Sequence, residues 1–290
     1  MSKYLDEEEG ELARFREYLK TEEKSRTTVE KYERDARKFL VFVRSNTGTS
    51  DKISKTLVLD YKEALMKEYR TSSVNSMLAA VNNYLIFSER ADCKVKQVKI
   101  QRQPFLEEDK CLTVEDVEKL LKVAKSKGKQ RLAMIIETLY GTGIRVSELA
   151  FITLEHLRSG AINVHNKGKT RLIAITKKLR KKLLHYAKVN QIQSGPLFVT
   201  RSGKCMNRSN LWREIQKICE EAGVASKKGF PHNFRRLFAR CFYAVDKDLV
   251  NLADILGHSS IETTRIYTAT TYKNFVEKLE SMDDVLRKTT

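Results

Sequence analysis

The sequence predicts a mainly α-helical protein with one small β-sheet, divided into two domains, and three observations lead there. Apolar residues recur at helical spacing through the first hundred positions. One segment near residue 165 instead alternates about a Lys-Gly-Lys turn. A length of 290 residues is enough to build two separate cores.

Element by element, a first helix is expected around Leu12 to Leu19. A capping box of Thr27 with Glu30 opens a second, which places Val29, Tyr32, Ala36, Phe39 and Val43 on one face. A third covers Leu57 to Tyr69, and Val74, Leu78, Val81 and Leu85 mark a fourth. These make a helical domain over residues 1–95, whose Lys24, Arg26, Lys31, Arg34 and Arg37 are candidates for phosphate contacts. The basic stretch from Lys94 to Gln103, ahead of Pro104, has little with which to build a core and reads as a linker, 96–106.

The second domain, 107–274, opens on a helix capped by Thr113 with Asp116 and carrying Val117, Leu120 and Leu121. Leu132 to Tyr140 forms another, running into Gly141-Thr142-Gly143, where glycine lets the chain turn before Arg145. Ile162 and Val164, then Leu172, Ile173 and Ile175, alternate about Lys167-Gly168-Lys169 as a hairpin. A short strand at Leu197 to Thr200 leads to a helix bearing Trp212, Ile215 and Ile218. Pro231 starts the next helix, on which His232 and Arg235, three residues apart, face the same side. The tail, 275–290, puts Phe275, Leu279, Met282 and Leu286 on one stripe.

The formal net charge is +18, with a pI near 9.6, which suits a polyanionic partner. Residues 1–105 hold 21 basic and 17 acidic side chains, so most of the excess lies in the second domain. The run Lys177, Lys178, Arg180, Lys181, Lys182 reads equally well as a solvated helix face. Five scattered cysteines give neither a disulfide framework nor zinc-ligand spacing, and His156, His165 and His185 have no partners at metal-ligand spacing. No apolar stretch reaches the ~20 residues that span a bilayer, and the acidic start is unlike a signal peptide. A cytoplasmic, nucleoid-associated protein is expected.

The residues that carry chemistry fall in order along the second domain: Arg145, Lys167, His232, Arg235, His258 and Tyr267. Guanidinium forks match the non-bridging oxygens of a phosphodiester and gain strength as charge builds at phosphorus. Tyrosine, with an ordinary pKa of about 10, needs a nearby base or positive field to act as a nucleophile, and His232 with the arginines can supply them. A lysine on a turn can protonate the leaving 5′ oxygen. Alone, any such tyrosine or histidine is more often a packed core residue; the ordered set is what points to strand transfer.

In the blocks GTGIRVSEL, PHNFRR and LGHSSIETTRIYT the chain resembles the tyrosine recombinases, the phage integrase and Xer group. The resemblance covers roughly residues 105–275. It implies a SAM-like helical core-binding domain ahead of a mixed α/β catalytic domain. It assigns Arg145 and Arg235 to phosphate binding, Lys167 to the hairpin, His232 to the His-x-x-Arg pair, His258 to the second histidine and Tyr267 to the nucleophile. Glu148 matches an acidic accessory position. Two departures are Arg236, where the family often has histidine, and Phe234, where it has leucine. Lys167 precedes the turn glycine as the family pattern requires, with Lys169 the alternative; Lys169 and Arg236 are also candidates for contacts to DNA.

The resemblance further implies cleavage through a 3′-phosphotyrosyl link, a Holliday junction, and no cofactor or metal. The partners would be double-stranded DNA, with a homotetramer on two sites formed from protomers that are monomeric in solution, and accessory recombination proteins. The tail would exchange between protomers. The helical domain starts almost at once, which implies an Xer-like or similarly sized mobile-element enzyme. Two rivals are a type IB topoisomerase-like relaxing enzyme and a non-catalytic DNA-binding protein.

Overall fold

Helical spacing in the first hundred residues is realised as four helices, α1 (Ser2–Thr21), α2 (Arg26–Thr47), α3 (Lys55–Glu68) and α4 (Thr71–Phe87). The computed structural model describes residues 2–49, 52–99, 111–166, 169–200, 203–258, 260–268, 275–277 and 279–282. The chain divides into two units, Met1–Arg102 and Gln103–Thr290.

In the first unit, Leu12, Phe15 and Leu19 meet Phe39, Leu40, Leu78 and Leu85 in one core. Phe15 stands edge-on to Tyr84 at 5.4 Å, and the Tyr84 hydroxyl donates to Glu11 at 2.6 Å. The expected Thr27–Glu30 capping box does not form. After α1 the chain reverses through Glu23, at φ +53°, so Ser25 is already extended and caps α2. Glu30 bonds Arg26 instead, at 2.8 Å.

The stretch expected to begin the linker is strapped to α4 as far as residue 98. Asn82 exchanges two bonds with the Val95 backbone, at 2.9 and 3.0 Å, and Asn75 two with Val98, both at 2.8 Å. Seven helical residues rise about 10.5 Å, close to the ~10 Å of three extended residues. That match is why two asparagines seven apart can clamp positions three apart.

The second unit opens on α5 (Val114–Ser126), where Thr113 and Asp116 form the expected reciprocal cap, both bonds 3.1 Å. Helix α6 (Gln130–Thr142) is buried from Leu132 through Leu139 and packs against α10 (Pro231–Asp246). Only Gly143 makes the turn, at φ +65°; Gly141 lies inside α6. A 3₁₀ segment (Val146–Phe151) and α7 (Leu154–Ser159) lead into the hairpin β1 (Ile162–Asn166) and β2 (Lys169–Ile173). Its antiparallel register pairs Ile162 with Ile173, Val164 with Arg171 and Asn166 with Lys169.

Helix α8 (Lys177–Val189) buries Leu179, Leu183 and Tyr186 and turns Lys177, Lys178 and Lys181 to solvent. The expected strand at Leu197 to Thr200 is reduced to isolated bridges, Thr153 with Pro196 and Val199 with Cys205. Leu197 and Phe198 are buried by helix packing instead, and no neighbouring strand is there to extend a ladder among the described residues. Helix α9 (Arg208–Glu221), a 3₁₀ turn (Ser226–Lys228), α10, α11 (Leu249–Leu256) and α12 (Ile261–Thr268) follow, and the described residues 275–277 and 279–282 are also helical. Among the described residues no helix is long and apolar enough to cross a membrane.

Candidate active site

Proline at the first position of α10 fixes the helix start, from which Arg235 reaches the end of α6 and His232 reaches Tyr267. Arg235 is 2% exposed. It donates to the Gly143 carbonyl at 2.6 Å, the Leu256 carbonyl at 2.7 Å and His258 Nε2 at 2.9 Å. Both carbonyls sit at left-handed glycine turns, since α6 ends at Gly143 and α11 at Gly257. A Cβ on Gly143 would stand 2.3 Å from the Phe238 ring, so only glycine permits that approach. Burial, and then the charge of Arg145, lowers the Arg235 pKa to about 10, still charged at neutral pH.

Arg145 precedes the 3₁₀ segment and is bound to Glu148 twice, by its backbone N–H at 2.7 Å and by Nη1 at 3.0 Å. Glu148 is 1% exposed. Burial would raise its pKa, but the Arg145 backbone bond, the Arg171 charge and the side-chain bonds from Arg171 and Arg145 outweigh that and hold it below the usual range. Arg171, in β2 opposite Val164, donates to Glu148 at 2.5 Å and also to the Ile255 carbonyl. Sequence reasoning passed over Arg171.

Tyr267, on α12, is 5% exposed and lies between two imidazoles. Its hydroxyl is 3.1 Å from His232 Nε2, and its ring stacks on His258 at 5.4 Å and 13°. Arginine only donates, so the His258 Nε2 that faces Arg235 is unprotonated and Nδ1–H donates to Thr264 Oγ1 at 2.8 Å. Both histidine pKa values are lowered to about 4, by burial first. The charges of Arg236, Arg235, Arg208 and Arg145 add to the effect at His232, and those of Arg235, Arg145 and Arg171 at His258. His232 nonetheless has solvent-exposed surface, as a residue in the wall of an open cleft does: water reaches one side and protein crowds the rest.

That cleft, of about 340 Å³, is lined by Arg145, Ser147, Met206, Arg208, His232 and Arg235 among others. Arg208 was not anticipated; it lies over the Phe230 ring at 5.4 Å. Arg236 is half-buried, and its Nε has no hydrogen-bond partner among the described residues. Lys167 lies outside the described residues, and so does the side chain of Lys169. His156 bonds the Phe151 carbonyl at 2.8 Å. In the first unit Lys24 is exposed, Arg26 pairs with Glu30, and Lys31 and Arg34 both pair with the buried Asp35. Arg37 is ion-paired with Glu9 and Glu33. Among the described residues no group of three or more His, Cys, Asp or Glu is placed to hold a metal ion.

Three of the six ordered residues, Arg145, His232 and Arg235, thus line one cleft, and His258 and Tyr267 join them through Arg235 and His232. The phage integrase family model matches residues 110–274, and the phage integrase N-terminal SAM-like domain model matches 12–92. The chain belongs to the phage integrase family of tyrosine recombinases. This integrase-family chain is 30% identical over 273 residues to tyrosine recombinase XerC of Thermodesulfovibrio yellowstonii, covering 86% of this chain and 88% of that one. It is also 30% identical over 279 residues to tyrosine recombinase XerA of Pyrococcus furiosus, covering 93% and 92%. Its fold is shared with a lambda integrase whose tetramer was solved on a Holliday junction, at TM-score 0.67 and 14% identity, over 89% of this chain and 76% of that one. The integrase chain is therefore an Xer-like enzyme, mainly helical with one two-stranded sheet among the described residues.

Proposed function

We propose that this recombinase cuts and rejoins DNA at specific sites through Tyr267. The observation that carries the proposal is the 3.1 Å contact between the Tyr267 hydroxyl and His232 Nε2, beside the arginines of the same chain. Tyr267 Oη attacks phosphorus, the P–O5′ bond breaks, and the product is a 3′-phosphotyrosyl link with a free 5′ hydroxyl. The phenol proton goes to His232 Nε2, and Lys167 protonates the departing 5′ oxygen. Arg145 and Arg235 hold the non-bridging oxygens, and His258 orients Arg235 and braces the tyrosine ring. Arg208, Arg236 and, in the helical domain, Lys24, Arg26, Lys31 and Arg34 contact flanking phosphates.

A histidine with a pKa near 4 is a weak base for a phenol; burial depresses it first, and the arginines that add to the effect are groups a phosphate neutralises. DNA binding therefore lifts the arginine share of that depression and raises the basicity of His232 when the phosphate is in place. Attack of the 5′ hydroxyl of a partner strand on the phosphotyrosine reverses the step, so bond energy is conserved. Two rounds, on four protomers holding two sites, pass through a Holliday junction; the exposed Phe275, Leu279 and Met282 provide a surface for tail exchange. The task is integration and excision of a mobile element or Xer-type resolution, in the cytoplasm on nucleoid DNA.

The test is a site-bearing duplex nicked so that the cleaved strand's 5′ end diffuses away. Incubated with a chelator present, it is expected to give a covalent protein–DNA adduct, and paired intact sites to give recombinant products. Relaxation of supercoils irrespective of site, without recombinants, would favour a topoisomerase; binding without adduct would leave only a DNA-binding protein.

A further inference from the structure

We infer that Arg171 is a positioning residue: by taking one half of the Glu148 carboxylate, it leaves the charge of Arg145 available to the phosphodiester. The inference rests on the reading of Arg145 given above. Glu148 offers two oxygens in a buried setting. Oε1 accepts from Arg145 Nη1 at 3.0 Å; Oε2 accepts from the Arg145 backbone at 2.7 Å and from Arg171 Nη2 at 2.5 Å. Two guanidinium groups thus share one carboxylate, and one positive charge is left over. It resides on the cleft side, because the Arg145 side chain is 38% exposed and lines the cleft, whereas that of Arg171 is 14% exposed and does not.

Arg171 is held for this task from three directions. Its register partner Val164 and its strand neighbour Ile173 are core residues, so alternation turns Arg171 inward. Its Nη1 donates to Ile255 at the end of α11. Its aliphatic stem fills the space above Gly257, where a Cβ would stand 2.5 Å from Arg171 Cδ. Gly257 in turn precedes His258. The residue thus connects the hairpin, the acidic partner of Arg145 and the turn that presents His258.

Take Arg171 away and the buried carboxylate has one cation left. A buried charge with a single partner draws that partner fully to itself, so Arg145 is neutralised by Glu148 and turned from the phosphate. Arg171→Ala is expected to slow adduct formation on the nicked substrate by about 10- to 100-fold, with gel-shift affinity for the same site little changed. Arg171→Lys, a point charge without the fork, is expected to recover part of the rate. The decisive variant adds Glu148→Gln to Arg171→Ala. If Glu148 is what captures Arg145, removing its charge restores about tenfold of the lost rate, an expectation set by double-mutant coupling. A purely structural Arg171 predicts a double variant as slow as the single one or slower. Should Arg171→Ala not fold, as judged by its thermal transition, Arg171→Gln carries the same comparison. A wild-type rate in the single variant, or a double variant no faster than the single, overturns the inference; absence of adduct from the wild-type chain overturns the earlier reading instead.

Discussion

At the scale of residues, the site is a set of cations held in readiness for an anion. His232 and His258 are both pushed down to about 4 by burial and then by neighbouring arginines, so at neutral pH they are uncharged and the arginines carry the field. For a histidine with a folded pKa below its unfolded value near 6.5, the contribution to stability is fully present above pH 6.5 and is lost as pH falls toward 4. The catalytic unit should therefore lose thermal stability between pH 6.5 and 4, and His258→Asn should flatten that slope; an unchanged slope would contradict it. Binding of a site by Tyr267→Phe should raise both pKa values, read by imidazole nitrogen NMR, and affinity should rise as pH falls through the same window. Arg145, His232, Arg235, His258 and Tyr267 were legible in the sequence because their order is distinctive, and the fold brings all five together. Arg171 and Arg208 were not, because among 55 lysines and arginines nothing about their immediate neighbours sets them apart. One signal was available for Arg171: alternation from Val164 across the turn places it on the buried face.

At the scale of elements, the site depends on where helices stop. Helices α6 and α11 both end in left-handed glycines, and the carbonyl of Gly143 is an acceptor for Arg235. Gly143→Ala should cost about 1–3 kcal/mol for the backbone alone, plus displacement of Phe238, and should reduce adduct formation together with the melting temperature. The caps give a second check. Ser25→Ala and Thr113→Ala should each cost about 1 kcal/mol by chemical denaturation, while Thr27→Ala should cost only a few tenths; a larger loss at Thr27 would show that α2 starts where the sequence first suggests. Periodicity made the helices of both units readable. The cap of α2 was misread because Ser25, Thr27 and Thr28 are all good caps and only the reversal at Glu23 selects among them. The strand at Leu197 was misread because a short apolar run packs equally well without a partner strand.

At the scale of the whole molecule, the two units differ in charge, and the second carries most of the excess of +18. Affinity for a cognate site should fall steeply with salt, with a log–log slope of about −0.9 for each phosphate neutralised, and Arg208→Ala should reduce that slope by about one. The tail offers Phe275 at 39%, Leu279 at 45% and Met282 at 56% exposure. Deleting the chain after about residue 274 should spare single-site binding yet abolish two-site complexes in native mass measurements, whereas loss of the cooperative thermal transition would assign the tail to the catalytic unit's own core. The expectations for adduct formation and recombination depend on Tyr267 being the group that joins to DNA. The most direct measurement is peptide mapping of the trapped protein–DNA adduct by mass spectrometry, beside a Tyr267→Phe control that keeps its gel-shift affinity. A single modified peptide containing Tyr267 and no adduct in the control is the expected result; an adduct on Tyr272, or one that persists in Tyr267→Phe, would place the nucleophile elsewhere.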